Sequence, residues 1–395
     1  MTKSMYYPSL QEFIKLSRKG NVIPVYKEIN ADLDTPVSAF LKMKKGKYAF
    51  LLESVEGQEK VARYSFLGSN PSLIFTSKGR NIEIAYGSSG KKRNFLTDSD
   101  PFFELEKILS DFKPVAIKGL PRFYGGLVGY VGYDMVRFFE YIPDKNKDDL
   151  KLPDSVFMLT DTILVFDHVN HTIKIVSNVI LPDNFSRLSE AQKRKHYLQA
   201  AAKIDHIERE FNKNITCEKN NNNCLVSKVE SNVSKFEFEN MVRKAKKYIY
   251  SGDIVQVVPS QRLKTKLNKQ AFDVYRSLRS LNPSPYMFFL QLGDFDIVGA
   301  SPEMLVRFED GVVQTRPIAG TRPRGLSEEQ DKILELELLA DLKEKAEHLM
   351  LVDLGRNDLG RICQPGKVVV DKFMFVSRYS LGGLESATTP APTCI

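Results

Sequence analysis

The chain has 395 residues, of which 42% are hydrophobic and 27% charged, and its formal net charge is +8. This length suits two or three average domains or one large layered domain. Lys and Arg are scattered among acids, and no zinc-finger or RNP-type motif is present, so we expect no nucleic-acid binding. No signal-peptide region and no run of about 18 apolar residues occurs, so we expect a cytoplasmic protein without a membrane span. The four cysteines lack a CxxC pair and favour free thiols.

Short apolar runs ended by turns dominate the region from Val22 to Val176. The predicted elements are strands at 48–57, 62–68 and 72–79, a β-hairpin at 161–178 and a helix at 189–211. The glycine run at 123–134 lacks the Lys-Ser/Thr ending of a phosphate-binding loop. We interpret its glycines as allowing close approach between packed strands.

A polar, Asn-rich stretch at 213–232 precedes a second region that begins near Ser234. The first predicted element there is a helix with Ser234 as N-cap and Gly252 near its end. A strand at 254–266, a helix at 271–282 and three strands across 286–321 follow. The last element is one long helix with an apolar stripe, which begins with a capping box formed by Ser327 and Gln330. Many strands without regular βαβ alternation predict an α+β fold, with layered antiparallel-rich sheets and helices packed around them.

Three carboxyl groups in the second region are candidates for chemistry. Glu303 follows a strand and Pro302, where a carboxyl in a cleft is suited to act as a general acid. A surface Glu at a turn is the ordinary alternative. Glu344 and Glu347 are three residues apart on a helix and share a face, which suits a divalent cation. Acids on helices mostly face water, so the metal site and the solvated face both remain open.

The turn from Gly320 to Gly325 offers backbone N–H groups, a hydroxyl and two guanidiniums near a helix start. This combination suits a carboxylate or another anion, and an ordinary basic loop is the alternative. The stretch LVDLGRNDLGR at 351–361 is interpreted as a hydrogen-bonded turn after a helix end. Reasoning from residue types alone therefore reaches an anion-binding turn beside candidate carboxyls.

These residues belong to a set of motifs that resembles the chorismate-utilising enzymes, most closely the large subunits of anthranilate synthase. The motifs run from about Pro24 to Ser380, and in chain order they are LLESVEG, ARYSFLG, GGLVGYVGYD, GDIVQVVPSQR, NPSPYMFF, GASPEML, PIAGTRPRG and EHLMLVDLGRNDLGR. The resemblance implies the chorismate-utilising-enzyme fold and a carbon–oxygen lyase of tryptophan biosynthesis.

The resemblance also implies roles for single residues at the active site. Chorismate is expected to bind with Mg²⁺, for which Glu347 matches a metal-binding Glu, and Gly320 and Thr321 match the pair that contacts chorismate. Glu303 matches the general acid that protonates the departing C4 hydroxyl while ammonia attacks C2, before pyruvate is eliminated. Ammonia is expected from a separate glutamine amidotransferase subunit, since no glutaminase nucleophile motif is visible.

Two positions separate the branches of this family. Gln256 stands where members that form isochorismate carry a Lys that activates water, so a water nucleophile is disfavoured. Ala319 stands where aminodeoxychorismate synthases carry Lys, so the para-amino branch is disfavoured too. Both residues favour anthranilate as the product, and Gln256 is included among the candidate catalytic residues.

A feedback site for tryptophan is implied by two further motifs. Matching residues are Ser54 in LLES and, in NPSPYM, Asn282, Pro285, Tyr286 and Met287. A hydroxyl and backbone groups can hold the amino acid while apolar side chains pack its indole. Without the resemblance, ordinary strand and turn packing would explain these residues.

The resemblance ends near Ser380, where the family continues with further substrate and metal residues but this sequence has a Thr/Pro-rich tail. The predicted organisation is a tryptophan-binding region at 1–185, a helix and linker at 186–233, the first part of a chorismate-binding region at 234–380, and an aberrant tail at 381–395. We expect the fold to be incomplete at its C-terminal end and the 395-residue chain to be inactive. The alternative is a non-catalytic remnant that binds tryptophan or a partner.

Overall fold

The structure is a computed structural model that describes residues 6–54, 63–87, 90–182, 184–211, 213, 227–371, 373–378, 384–385 and 392–394. Two compact units make up the chain. The first comes from Met1–Ile215 and Tyr275–Ile395, and the second from Thr216–Val274. The functional boundaries at 185, 233 and 380 stay a prediction.

The described residues form eight α-helices: α1 Leu10–Leu16, α2 Pro36–Met43, α3 Pro101–Ser110, α4 Glu190–Phe211, α5 Lys235–Ser251, α6 Ala271–Leu281, α7 Glu328–Ala340 and α8 Leu342–Gly360. Short 3₁₀ helices lie at Tyr133–Phe138 and Phe185–Arg187.

The strands of the first unit that precede α5 are β1 Val22–Asn30, β2 Tyr48–Glu53, β3 Tyr64–Ser69, β4 Leu73–Lys78, β5 Asn81–Tyr86, β6 Lys92–Leu96, β7 Gly126–Val131, β8 Ser155–Thr160, β9 Thr162–Asp167 and β10 Thr172–Ile180. The second unit contains β11 Glu230–Ser231, which precedes α5, and β12 Leu263–Lys264, which follows it. The remaining strands of the first unit are β13 Tyr286–Leu292, β14 Asp296–Ser301, β15 Arg307–Glu309, β16 Val312–Gln314, β17 Thr321–Arg322, β18 Val368–Val370, β19 Leu384–Glu385 and β20 Pro392–Cys394.

Two large antiparallel sheets form the centre of the first unit. One has the strand order β1-β10-β9-β3-β2-β13-β14 and the other β6-β5-β4-β8-β7. Side chains from both sheets meet in one apolar core, which consists of Tyr26, Phe50, Val128, Val156, Met158, Ile163, Val165, Val176, Leu290 and Leu292. Burial of these alternating side chains between the sheets is the main stabilising contribution here.

Helices cover the outer faces of both sheets. Helix α4 packs on β10 and β1, and α1 and α2 pack against α4. Helix α3 covers the smaller sheet, where Leu105 joins a second core with side chains of β4, β5 and β8. This arrangement confirms the predicted α+β fold with layered antiparallel sheets.

Several local predictions for the first unit are confirmed. The predicted hairpin at 161–178 is β9 paired with β10, with Thr172 opposite Asp167. In the glycine run, a Cβ on Gly129 would lie 1.8 Å from the Val156 carbonyl oxygen, so only glycine permits the approach of β7 to β8. The glycines therefore serve strand packing, as the sequence indicated.

The second unit is built around α5. Ser234 caps this helix through a capping box with Glu237, and Gly252 ends it in the left-handed conformation, as predicted. The predicted strand at 254–266 is wrong over most of its length. Only Leu263–Lys264 forms a strand, because the backbone ladder with Glu230–Ser231 extends no further.

The predicted long helix is two helices, α7 and α8. Asp341 leaves the helical conformation, with ψ 113°, and its side chain accepts the N–H groups of Lys343 and Glu344 as the N-cap of α8. The break interrupts the predicted apolar stripe, and Ile333, Leu336, Leu342 and Leu349 are exposed. Likewise, the region 286–321 holds β13 to β16 and the start of β17 rather than three strands.

The structure bears on two expectations from the sequence, those about a membrane span and about the cysteines. Within the described ranges, no helix combines the length and the apolar character needed to cross a bilayer. Cys363 is disulfide-bonded, so the expectation of free thiols is wrong for this residue.

Candidate active site and regulatory site

Glu303 lies in a turn between β14 and β15 that its neighbour Ser301 fixes. The Ser301 hydroxyl accepts the Glu303 N–H at 3.2 Å and donates to the Glu303 carbonyl oxygen at 3.0 Å. The Glu303 carboxylate in turn accepts the backbone N–H of Ile318 at 3.3 Å. The candidate acid therefore contacts the PIAGT segment, residues 317–321. Because its side chain is exposed, it also remains accessible to a substrate.

The PIAGT segment also contacts α8. Gly320 is buried, and a Cβ built on it would lie 2.0 Å from Oε2 of Glu344 and 2.6 Å from its Cδ. Glycine at this position therefore lets the Glu344 carboxylate lie directly against the turn. The two contacts place Glu303, Gly320 and the first turns of α8 in one continuous surface. Thr321 is exposed and pairs in β17 with Glu385 of β19.

Glu347 is one helical turn after Glu344 and is half-buried. Within the described residues, its carboxylate makes no hydrogen bond or ion pair, and no group of three or more His, Cys, Asp or Glu could hold a metal ion. Mg²⁺ is commonly bound by one or two carboxylates, with water and substrate oxygens completing its shell. Glu344 and Glu347 share a face and supply such oxygens, so the residues fit a cation that also binds the substrate.

His348, next to Glu347, is buried and packs against the ring of Phe373, with 6.3 Å between the ring centroids. Burial lowers the pKa of its imidazole. It is therefore a packed core histidine.

The guanidiniums of the basic turn are bonded to α7 and to the turn before α8. Arg322 donates to Glu337 at 2.9 Å and to Asp341 at 2.8 Å, and Arg324 donates to Asp331 at 2.6 Å. The Arg324 guanidinium, with the Gly325 N–H, lowers the pKa of the Asp331 carboxyl. Both arginines therefore anchor the turn to the helices, and the structure favours the basic loop over an arginine-lined anion site.

The RNDLGR motif was expected to form a turn after a helix end, and this expectation is wrong. Residues Asp353 to Asp358 all lie inside α8, where Arg356 pairs with Asp353 at 3.5 Å. Ion pairs three residues apart support a continuous helix. Polar residues with a glycine on each side resemble a turn in the sequence, but the i,i+3 spacing of their charges also suits a helix.

Gln256 lies in the second unit, in an exposed segment without regular secondary structure between α5 and β12. Ala319 is half-buried and directly precedes Gly320. The roles of both residues stay predictions.

The predicted tryptophan residues meet where β2 ends and β13 begins. Met287, 1% exposed, lies opposite Glu53, so Ser54 and Tyr286 continue the same pair of strands. Pro285 is buried, while Asn282 is exposed at the end of α6. The Ser54 hydroxyl oxygen is buried and makes no hydrogen bond with any described residue. A buried hydroxyl of this kind is available to a ligand donor or acceptor.

Sequence reasoning missed the buried charge beside this position. Glu53 is 4% exposed, and its carboxylate accepts the Tyr275 hydroxyl at 2.5 Å and the Arg279 Nε–H at 3.0 Å. Burial and the neighbouring Glu53 charge raise the pKa of Tyr275. The signal was a Glu in phase with Ala49 and Leu51 on the buried face of a strand.

A histidine lies near the same carboxylate. Nε2 of His168 is 2.7 Å from the hydroxyl of Ser65. Burial lowers the pKa of His168, while the negative charge of Glu53 opposes this shift and Arg279 adds to it. Glu53, Tyr275, Arg279, His168 and Ser65 are called the Glu53 cluster below.

The chain was compared with families of known proteins. Residues 47–381 match the family described as chorismate binding enzyme. The chain therefore belongs to the chorismate binding enzymes and is an enzyme by family.

The relatives within this family are more specific. The chain is 45% identical to anthranilate synthase component 1 of Acetivibrio thermocellus, over 95% of this chain and 75% of that protein. It is 43% identical to the component 1 of Aquifex aeolicus, over 94% of this chain and 74% of that protein. The crystal structure of anthranilate synthase component I from Streptococcus pneumoniae matches with a TM-score of 0.67 and 31% identity, over 93% and 76% of the two chains. These matches confirm the resemblance seen in the motifs.

Proposed function

We propose that this chain serves tryptophan biosynthesis as the component of anthranilate synthase that binds chorismate, converting chorismate and ammonia to anthranilate, pyruvate and water. The observation that carries the proposal is the surface formed by Glu303, Gly320 and the first turns of α8. Within a family of chorismate binding enzymes, an exposed carboxyl bonded to the segment that ends in Gly320 is well placed for acid chemistry.

The proposed role of Glu303 is to donate a proton to the C4 hydroxyl of chorismate as that group leaves as water. Ammonia adds at C2 in the same step, and loss of the C2 proton and the enolpyruvyl group then gives the aromatic amine and pyruvate. The Ser301 hydroxyl holds the Glu303 backbone, and the Ile318 N–H orients its carboxylate. This preorganisation reduces the cost of aligning the acid with its substrate.

Glu347 is proposed to hold Mg²⁺, with Glu344 beside it. When bound, the cation would neutralise and orient the carboxylate of the substrate. Gly320 and Thr321 are proposed to contact chorismate, since Gly320 lies against Glu344, two residues after the Ile318 N–H that bonds to Glu303, and Thr321 follows it directly. Gln256 and Ala319 support ammonia rather than water as nucleophile and the ortho rather than the para amine.

Three wider features belong to the same proposal. Ammonia would come from a glutamine amidotransferase subunit, and the complex would act in the cytoplasm. Tryptophan would act as the feedback inhibitor at Ser54, Asn282, Pro285, Tyr286 and Met287. The Ser54 hydroxyl lies one residue from the strand pair of Glu53 and Met287 and makes no hydrogen bond with a described residue, which supports this site.

The reaction is tested by incubating the 395-residue chain with chorismate, Mg²⁺ and ammonium and separating the products by chromatography. Anthranilate that is lost in Glu303→Gln and kept in Glu328→Gln, an exposed acid of α7, would establish the reaction. It would also show that the expectation of an inactive chain is wrong. Isochorismate or a para-amino product would overturn the branch assignment. If no product forms, substrate binding decides whether the chorismate site exists.

A further inference from the structure

A cavity of about 380 Å³ lies in the first unit, away from every residue given a role above. Its apolar lining comes from β1, α3 and the segment after it, β8 and β10, and includes Val22, Leu109, Phe112, Leu159 and Ile180. The volume is at the lower end of the range of small-molecule sites, about 300–1,000 Å³. An apolar lining of this size suits one aromatic ring.

Asn178 gives the cavity a buried polar group that is not satisfied. The residue is 7% exposed, and its Nδ2 donates to the carbonyl oxygens of Tyr124 at 2.7 Å and Asp161 at 3.3 Å. These two bonds fix the orientation of the amide. Its Oδ1 is buried and accepts no hydrogen bond from any described residue. Buried acceptors are nearly always bonded, so this oxygen calls for a donor that the described residues do not supply.

The backbone beside Asn178 is shaped for this arrangement. Gly125 has φ +154°, and a Cβ there would lie 2.4 Å from Asn178 Nδ2. Any other residue would push the amide away from Tyr124. Glycine therefore preserves an amide whose oxygen accepts no hydrogen bond from the part of the chain that the structure describes.

Arg122 also lines the cavity, and its side chain is 64% exposed. It pairs with Glu309, the last residue of β15, and at 3.1 Å with Asp310, in the turn that leads to β16. Exposed ion pairs contribute little to stability, so they exchange readily for another anion. A guanidinium is well suited to a carboxylate, which it can bind through two N–H groups.

We propose that this cavity binds a small aromatic acid that carries a hydrogen-bond donor. The ring would pack on the apolar lining, the donor would bond to Asn178 Oδ1, and the carboxylate would replace Glu309 or Asp310 on Arg122. Strands β15 and β16 form a hairpin that lies between Glu303 and Ile318 in the chain, and these two residues are joined by a hydrogen bond. Replacing Glu309 or Asp310 on Arg122 therefore acts on a hairpin that connects to the proposed acid. The cavity is a second ligand site, distinct from those proposed for chorismate and tryptophan.

Three probes with the same aromatic ring separate the contributions of the donor and the acid. They are 4-hydroxybenzoate, 4-methoxybenzoate, which lacks the donor, and phenol, which lacks the acid. The probes are titrated into the full chain labelled at Ile, Leu and Val methyl groups and followed by NMR. We expect 4-hydroxybenzoate to shift the methyl groups of Leu159 and Ile180 saturably, with an affinity about tenfold higher than either control probe. Equal affinity of the three probes, or no shift of these methyl groups, would overturn the proposal.

Two variants assign the contacts, with a matched control. Asn178→Leu should abolish the preference for 4-hydroxybenzoate over 4-methoxybenzoate, and Arg122→Gln should abolish its preference over phenol. Arg93→Gln, an exposed arginine on β6 outside the cavity, should change neither preference. An unchanged preference in both cavity variants contradicts the proposal. If Asn178→Leu does not fold, the probe comparison in the unsubstituted chain still decides the question.

Discussion

Gly320 lies directly against the carboxylate of Glu344, so close that a Cβ would be 2.0 Å from Oε2. This contact joins the PIAGT segment to α8 at the turn that precedes Glu347. The position of one candidate metal carboxylate therefore depends on the absence of a side chain at residue 320.

Replacing Gly320 with Ala should impair metal-linked substrate binding more than stability. The nearest atoms to the new Cβ are the far end of a flexible side chain, which can rotate away, so we expect a loss of less than about 1 kcal/mol in unfolding free energy. Displacing Glu344 should weaken Mg²⁺-dependent chorismate binding by about ten- to a hundredfold. Thermal unfolding and calorimetry measure the two effects. A large loss of stability with unchanged binding would contradict the assignment.

Substituting Glu53 with Gln should destabilise the first unit. The change keeps the shape of the side chain but leaves Tyr275 and Arg279 without the carboxylate to which they donate, and we expect a loss of about 2–3 kcal/mol. Glu83→Gln is the control, because the Glu83–Lys92 pair is exposed and should change stability by about 0.5 kcal/mol or less. Urea unfolding compares the two, and equal losses would show that the Glu53 cluster is not stabilising.

The Glu53 cluster should also make stability depend on pH. Burial lowers the pKa of His168 in the folded chain, so the unfolded chain binds more protons as the pH falls. Stability is therefore full above the unfolded pKa, about 6.5, and decreases as the pH falls through it. His168→Asn should lose less stability between pH 7 and pH 5 than the unsubstituted chain. His206→Asn, at an exposed position of α4, should lose as much as the unsubstituted chain. Identical pH profiles of the His168 variant and the unsubstituted chain would refute this account.

Ser54 should matter for tryptophan binding and little for stability. Its buried hydroxyl makes no hydrogen bond with described residues, so Ser54→Ala breaks no hydrogen bond in the part of the chain that the structure describes. If tryptophan uses this hydroxyl, the variant should lose about 1 kcal/mol of binding free energy, or roughly fivefold in affinity. Ser69→Ala serves as control, since that hydroxyl donates to the Met43 carbonyl oxygen at 3.0 Å. Calorimetry that detects no tryptophan binding to the folded chain would remove the regulatory site.

The elements with local signals could be predicted from the sequence. Helix α5 carries both of its signals within the chain segment itself, in Ser234 and Gly252, and the β9–β10 hairpin consists of two apolar runs joined by a short turn. The wrong predictions at 254–266 and at the long helix both depended on contacts that lie outside the segment concerned. A strand at 254–266 needs a partner, which periodicity does not reveal. Asp341 ends one helix and caps the next, although its sequence context favours a continuous helix.

The candidate sites also differ in how far the sequence alone could identify them. The motifs identify Glu303, Gly320 and Glu347 by residue, and the structure adds the Ile318 and Glu344 contacts that join them. The Glu53 cluster could not be found from the sequence, because Tyr275 and Arg279 are 222 and 226 residues away from Glu53. Only the register of β2 against β13 brings these segments together.

The chorismate surface is tested most directly by calorimetry of chorismate binding to the full chain, with Mg²⁺ present and with Mg²⁺ removed by EDTA. We predict that Mg²⁺ increases the affinity at least about tenfold, that Glu347→Gln abolishes this increase, and that Glu328→Gln retains it. The same affinity with and without Mg²⁺, or an undiminished Mg²⁺ effect in Glu347→Gln, would contradict the account.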